Sequence, residues 1–399
     1  MAVNNRIYYA IQQVGLKADG VEGAHTVIKG VQSVGMTTNF NLEQVFELGQ
    51  LAIYENIENI PDVEVTLNKV LDGNPLIYHL ATRNSPTPTL AGKSTEKCIF
   101  GLSIFQDTAT EADGAPDSMC QASGMFVNSI SYNFPADDNF NEDITLVGND
   151  KVWLDDPNIT TGNPAESAIT TEFSGAFPGG NDSPVASGGG VNRRENLQFE
   201  ADTTTFTGGD GNGMHTDPDA CVFPPDVFGI NGYGQNTLDS ATDQYGAHIS
   251  NITISTDLGR EEINELGRKA PYVRNVTFPI EVTCEIEVVS SSGDMVSATE
   301  YGIRTPADAD NCTDSGNLQD RSIRIAACEG TRISLGQKNK LASVNYSGGD
   351  AGGGNVTVSY TFTTFNDLTV MHPQDPATNY SYANRSDFLI FGSSSLNPA

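Results

Sequence analysis

Ser33-Val34-Gly35-Met36-Thr37-Thr38-Asn39-Phe40-Asn41-Leu42-Glu43-Gln44-Val45-Phe46-Glu47-Leu48-Gly49 reads over Asn251-Ile252-Thr253-Ile254-Ser255-Thr256-Asp257-Leu258-Gly259-Arg260-Glu261-Glu262-Ile263-Asn264-Glu265-Leu266-Gly267 at a constant shift of 218 positions. Val34/Ile252, Met36/Ile254, Thr38/Thr256, Glu43/Glu261 and Val45/Ile263 agree in type, and the Glu-Leu-Gly triplet recurs. Tyr54/Tyr272 and Pro61/Pro279 extend the match, and one residue of slippage then aligns Val63-Glu64-Val65-Thr66 with Ile280-Glu281-Val282-Thr283. A second block, Asn128-Ser129-Ile130-Ser131-Tyr132, lies over Ala342-Ser343-Val344-Asn345-Tyr346 at a shift of 214. That shift also pairs Asn141 with Asn355, Ile144 with Val358 and Thr145 with Ser359. Two blocks in the same order at nearly the same spacing mark a tandem duplication, which decides the architecture before any motif does.

Each copy reads as mostly strand. Ile280, Val282, Cys284, Ile286 and Val288 alternate with Glu281, Thr283, Glu285 and Glu287, a period of two with one apolar and one wet face. Val356, Val358, Tyr360 and Phe362 alternate with Thr357, Ser359, Thr361 and Thr363, and Val63, Val65 and Leu67 do so in the first copy. Ile7, Tyr9 and Ile11 suggest an N-terminal strand. Helical spacing is rare: Leu42, Val45 and Phe46 after a capping Asn41 predict one short helix, with Asp257 to Leu266 as its counterpart. Gly49 and Gly267 then stand where those helices would turn. The expected organisation is a mainly β chain of two tandem β-sandwich or split-barrel domains, residues 1–153 and 246–399. A loop-rich Gly/Asp/Ser segment, 154–245, joins them, and within it Glu195 to Phe206 has the composition of one or two strands.

Composition narrows the function. The chain has 399 residues, 51 Asp and Glu against 21 Lys and Arg, and a formal charge of −30. Such a surface repels phosphate, which excludes tight nucleic-acid binding, and it offers no basic patch to an anionic membrane. No apolar run approaches a membrane span, and Met1 to Leu16 lacks the pattern of a signal peptide, so a soluble protein made inside the cell is expected. The six cysteines (Cys98, Cys120, Cys221, Cys284, Cys312, Cys328) form no CxxC pair and read as isolated buried thiols.

No catalytic set converges. The histidines His25, His79, His215, His248 and His372 stand singly and read as surface or structural residues; no GxSxG elbow or P-loop is present. Asp308-Ala309-Asp310-Asn311-Cys312-Thr313-Asp314 begins like a calcium loop, but Cys312 takes an oxygen-ligand position and the terminal Glu is missing. Asp210, Asn212, Asp217 and Asp219 form a second acidic cluster, of the kind any chain this acidic contains. Trp153 reads as a core or interface anchor, and Arg193-Arg194 as a basic spot that is solvated or pairs with the acidic surface of a neighbouring subunit. No enzyme activity, cofactor or metal is expected. A duplicated β domain without chemistry suggests self-assembly, because exposed strands and loops can pair with copies of the same chain in closed heterologous rings.

Asn39 to Asn56, running on through Val63-Glu64-Val65-Thr66-Leu67-Asn68-Lys69-Val70-Leu71-Asp72-Gly73, resembles virion structural proteins of tailed bacteriophages, particularly the tail tube class; so does Ser343-Val344-Asn345-Tyr346 with Gly352-Gly353-Gly354-Asn355-Val356-Thr357-Val358. The resemblance implies a β-sandwich or split barrel with one short helix and a long hairpin, stacked in hexameric rings. A chain with two such domains would form trimers with six quasi-equivalent modules, partnered by other virion tail proteins, in a virion tail assembled in the host cytoplasm. The tube would conduct the genome during ejection without gripping it, and Glu64, Glu281, Glu285 and Glu287 are candidate channel-facing acids, an outer or inter-ring surface being the alternative. Phe46, Glu47, Leu48 and Gly49, with Asn264, Glu265, Leu266 and Gly267, are the candidate assembly residues. Other virion components (baseplate, adaptor, decoration protein) and a calcium-dependent carbohydrate-binding or hydrolytic β protein are the alternatives.

Overall fold

A computed structural model describes residues 7–20, 25–85, 87–105, 116–154, 173–174, 190–194, 197–200, 248–267, 271–289, 323–327, 331–336, 338–348 and 356–372. The first half contains β1 (Gln12–Ala18), β2 (His25–Val27), β3 (Val31–Asn39), β4 (Leu42–Phe46), β5 (Ile53–Glu58), β6 (Asp62–Val70), α1 (Ile77–Ala81), α2 (Leu90–Lys93), β7 (Cys98–Ile104), β8 (Ser118–Pro135), β9 (Asn141–Gly148) and β10 (Asp150–Leu154). There follow β11 (Phe173–Ser174), β12 (Leu197–Glu200), β13 (His248–Asp257), β14 (Arg260–Ile263), β15 (Val273–Val276), β16 (Glu281–Val289), β17 (Arg324–Ala327), β18 (Arg332–Ser334), β19 (Lys340–Ser347), β20 (Thr357–Phe365) and β21 (Thr369–Met371). The protein is mainly β, as its alternating patterns predict.

One antiparallel run of strands crosses both halves in the order β3–β6–β9–β8–β13–β16–β20–β19. Ser33, Asn68, Asp143, Ser131, Ser255, Thr283, Thr363 and Lys340 form a single row across it, all polar and all on the wet face. On the other face Phe134, Ile252, Ile286, Tyr360 and Val344 stand side by side. Removing that face from water is the main force holding the sheet. Strand β8 serves two sheets: Ser118–Met125 pairs with β7 and β10, and Phe126–Asn133 with β9. Gly124, at φ +62, lies next to the change of sheet, in a conformation that strains a side-chain-bearing residue.

The plan then repeats. The order β12–β17–β18–β21 matches β1–β7–β8–β10, and β13–β16–β20–β19 matches β3–β6–β9–β8, with β18 and β19 as the two halves of a divided β8. Even the bulges correspond. Gln32 in β3 and Ser250 in β13 are the extra residues of their strands, as are Asn128 in β8 and Ala342 in β19.

These landmarks correct the sequence alignment in two places. With Val34 over Ile252, the pairing of β3 with β6 and of β13 with β16 sets Val63 over Val282, not Ile280. Likewise Ile144 corresponds to Tyr360, not Val358. Both errors are of two residues, which returns every side chain to the same face, so alternation alone cannot detect them. The counterpart of Glu281 is therefore Asp62, and that of Glu64 is Thr283.

The expected helices are strands. Leu42–Phe46 is β4, paired with β5, and Arg260–Ile263 is β14, paired with β15; each pair is a separate two-stranded hairpin. Asn41 does not cap a helix: it sits at φ +48 and its Nδ2 donates to Ile60 O (3.1 Å) and Asp62 Oδ2 (2.7 Å). The first half does have two short helices, but at α1 and α2. The N-terminal strand starts later than expected, with a 3-10 turn at Tyr9–Ile11 before Gln12.

A single hydrophobic core joins the halves, from Val14 and Leu102 through Ile130 and Tyr132 to Ile252, Val282 and Val370. All five residues of α1 are buried in it. Its N-cap, Leu76, supplies no side-chain bond, so Glu142 on β9 accepts from the amides of Ile77 (2.7 Å) and Tyr78 (3.2 Å) and from the Tyr132 hydroxyl (3.0 Å). Beside it, the buried Lys69 ammonium donates to Asp72 Oδ1 at 2.5 Å and Val70 O at 2.9 Å. The segment expected as linker is stitched to both halves: Asn192 donates its amide to Leu71 O and accepts from Phe140 N–H, while β12 pairs with β17.

Candidate assembly surfaces

The joint between the halves is a strand pair, β8 with β13, in which Tyr132 faces Ile254, Ser131 faces Ser255, Ile130 faces Thr256 and Ser129 faces Asp257. Among the described residues β3 pairs with β6 alone and β19 with β20 alone, so both ends of the eight-strand order are open edges. These edges are the counterparts of the joined strands. Tyr132 and Ile254 are 0% and 1% exposed inside the joint; their counterparts Tyr346 and Met36 are 52% exposed and half-buried at the edges. Val34 and Val344 are half-buried where Ile252 and Ile130 are fully covered. Proteins ordinarily guard edges with Lys, Pro or bulges. Here β3 carries neither Lys nor Pro and β19 only Lys340 at its start, so beyond those the edges have just their bulges, at Gln32 and Ala342.

The hairpins are the second surface. Leu48, Leu51 and Leu266 are fully exposed, with Phe46, Ile53, Tyr54, Ile263 and Tyr272 more than a third exposed. Gly49 (φ +107) and Gly267 (φ +88) form the tips. Of the predicted assembly residues, Phe46, Glu47, Leu48 and Gly49 thus sit at one arm tip and Asn264, Glu265, Leu266 and Gly267 at the other, exposed in both cases. An isolated two-stranded hairpin is marginal in water. The second arm is held by cations across the joint: Arg260 lies 4.5 Å over the Phe126 ring and donates to Val127 O (2.7 Å) and Ser94 O (2.6 Å). Burial, with Arg274 beside it, lowers its pKa to about 10. Arg274 pairs with Asp62 (2.9 Å) and with Glu262. The first arm has Leu42 and Asn56 at these positions and no such anchor.

The third surface is the wet face of the long sheet. Glu64, Glu281, Glu285 and Glu287 all lie on it, with Asp143, whose carboxylate accepts from Asn68 Nδ2 at 2.7 Å. The strands put these acids on one face from sequence positions more than 200 residues apart, with β9, β8 and β13 lying between Glu64 and the β16 acids. Sequence reading missed Arg260 and Arg274, although each breaks the repeat by putting a cation where the first copy has Leu or Asn.

His25, His79 and His372 are buried, while Trp153 is about half exposed on β10 rather than in the core. Cys98, Cys120 and Cys284 are buried free thiols, and burial pushes Cys98 and Cys284 up to about 12. Among the described residues no cluster of three or more His, Cys, Asp or Glu is arranged to hold a metal. Both acidic loops, 308–314 and 210–219, and Cys221, Cys312, Cys328 and His215 lie outside the described residues. No described helix is long and apolar enough to cross a membrane.

No protein-family model and no curated protein matches this chain. Solved structures do. A chain of the anti-feeding prophage baseplate is similar at 12% identity and a TM-score of 0.29, covering 38% of this chain and 97% of its own. A chain of the anti-feeding prophage tube-terminating cap matches at 15% identity and 0.28, covering 39% and 95%. The sheath/tube terminator of the extracellular contractile injection system PVC matches at 17% and 0.29, covering 38% and 99%.

Proposed function

We propose that this chain is a non-catalytic structural subunit of a tail-like particle, a tube protein whose copies close into rings and stack into the conduit for genome ejection. The reading is carried by one observation: the chain already contains one module-to-module joint, β8 on β13, and ends in two open edges that are the counterparts of those same strands. A surface that is complementary to itself head to tail propagates until rotation closes it. Two modules per chain make three chains the equivalent of the six-module ring that the sequence resemblance implies. Other tail proteins would meet the ends of such a tube. In this role the acidic wet face lines the lumen, where carboxylates keep passing DNA from adhering.

Mass measurement on assembled particles, combined with electron microscopy, tests the proposal. Hollow stacked rings with three chains each are expected. Monomers at all concentrations, or particles that only coat a capsid, overturn it.

A further inference from the structure

Resting on that ring reading, we infer the residue register of the joint between chains: β19 of one copy pairs antiparallel with β3 of the next, with Met36 opposite Tyr346, Thr37 opposite Asn345, Thr38 opposite Val344 and Asn39 opposite Ser343. The register follows from transposing the internal joint. There Ile254 faces Tyr132, Ser255 faces Ser131, Thr256 faces Ile130 and Asp257 faces Ser129. The matched bulges fix the transposition, since Ser250 maps to Gln32 and Asn128 to Ala342. A slip of one residue would set the apolar face of one module beside the wet face of the next, so that Met36 and Tyr346 no longer shared a face. A slip of two would preserve the faces, and only the bulges discriminate against it.

The two joints differ in chemistry at their flank. Across the internal one, Arg260 stacks on Phe126 and Arg274 pairs with Asp62. In the outer one, Leu42 and Asn56 take the places of those arginines, Lys340 that of Phe126 and Glu281 that of Asp62. The outer joint therefore lacks the buried cations.

Thr37 and Asn345 face the solvent side, so cysteines there leave the core intact, and residues directly opposite in a sheet are within disulfide reach. Oxidising the assembled T37C/N345C full-length chain should yield interchain species, reversed by reductant, that end at the ring number. The offset pair T37C/S347C should give at least tenfold less, and oxidised wild type none. As a second measurement, hydrogen exchange on the wild-type chain should show amides of residues 36–39 and 343–346 slowing on assembly. Rings of the expected mass whose offset pair crosslinks as well as the in-register pair, or whose edge amides stay unprotected, overturn the register while leaving the ring. Absence of any assembly overturns both.

Discussion

At the scale of single residues, Arg260 and His372 carry the sharpest consequences. Arg260 is largely buried, stacked on Phe126 and bonded to two carbonyls of the first module. Replacing it by Ala strands those carbonyls and removes the cation from the ring face, which should lower stability by about 2–3 kcal/mol. Leu42→Ala at the exposed counterpart should change it by less than about 0.5 kcal/mol in the unassembled chain. Urea unfolding of the two variants checks the contrast, and equal losses would mean that the joint has no cation anchor. His372 packs 6.4 Å, ring to ring, from His79, whose Nε2 lies 3.1 Å from Val370 O. Burial first, then His79 and Lys69, holds His372 well below its usual 6.5, so it stays neutral in the fold and takes up a proton on unfolding. Stability must therefore fall as pH drops below 6.5 toward the folded value. Glu142 acts oppositely: burial raises it, so its penalty eases as pH falls through the raised value toward 4.5. The comparison of wild type with His372→Gln isolates the histidine. Between pH ~7.5 and ~5.5 the variant's urea midpoint should fall less than the wild type's.

Among the elements, the arms show both what the sequence yields and where it stops. The duplication and the alternating strands are legible because period-two burial writes itself into residue type: Val282, Cys284, Ile286 and Val288 are buried and Glu281 and Glu285 exposed as the pattern requires. Leu42, Val45 and Phe46 mislead because three apolar residues at i, i+3 and i+4 fit a helix turn, whereas in the hairpin only Val45 is half-buried and the other apolar residues of both strands are exposed, with no burial period. The edge-to-edge joint was invisible for a different reason: strand partners are non-local, and nothing in β8 or β13 alone names the other. The candidate assembly residues stand out through the repeated Glu-Leu-Gly, but they sit at hairpin tips and not at the helix ends expected. Leu48 and Leu266 at those tips are fully exposed. Leu48→Asp with Leu266→Asp should leave the thermal midpoint unchanged within about 1 °C, since exposed substitutions cost little. The same variant should shorten tubes or abolish stacking in sedimentation. A large drop in midpoint would assign the arms to folding and not to contact between copies.

For the whole molecule, a hydrophobic core and an eight-strand order that both cross the two halves mean that the modules do not behave as beads on a string. A nick placed in 201–247 leaves β12 on the first fragment and its partner β17 on the second, with β8–β13 and the arginine anchors still bridging them. The fragments should co-purify and separate only in denaturant. The wet face sets the last consequence. Across the described strands it carries Glu64, Asp143, Glu281, Glu285 and Glu287, with Asp62 and Asp257 at its margin and Lys340 among them. None of these acids supports the core, so Glu281→Lys, Glu285→Lys and Glu287→Lys together should still assemble. Salt screens exposed charge beyond ~8–10 Å, so repulsion of phosphate acts only when the strand runs close to the wall, as it would inside a tube. If this face lines the lumen, the triple variant should retain DNA in low salt and release it in high salt, while wild-type tubes hold none. If it faces outward, the variant should bind DNA along the tube exterior, where nuclease digests it. Protection from nuclease therefore decides which way the sheet faces.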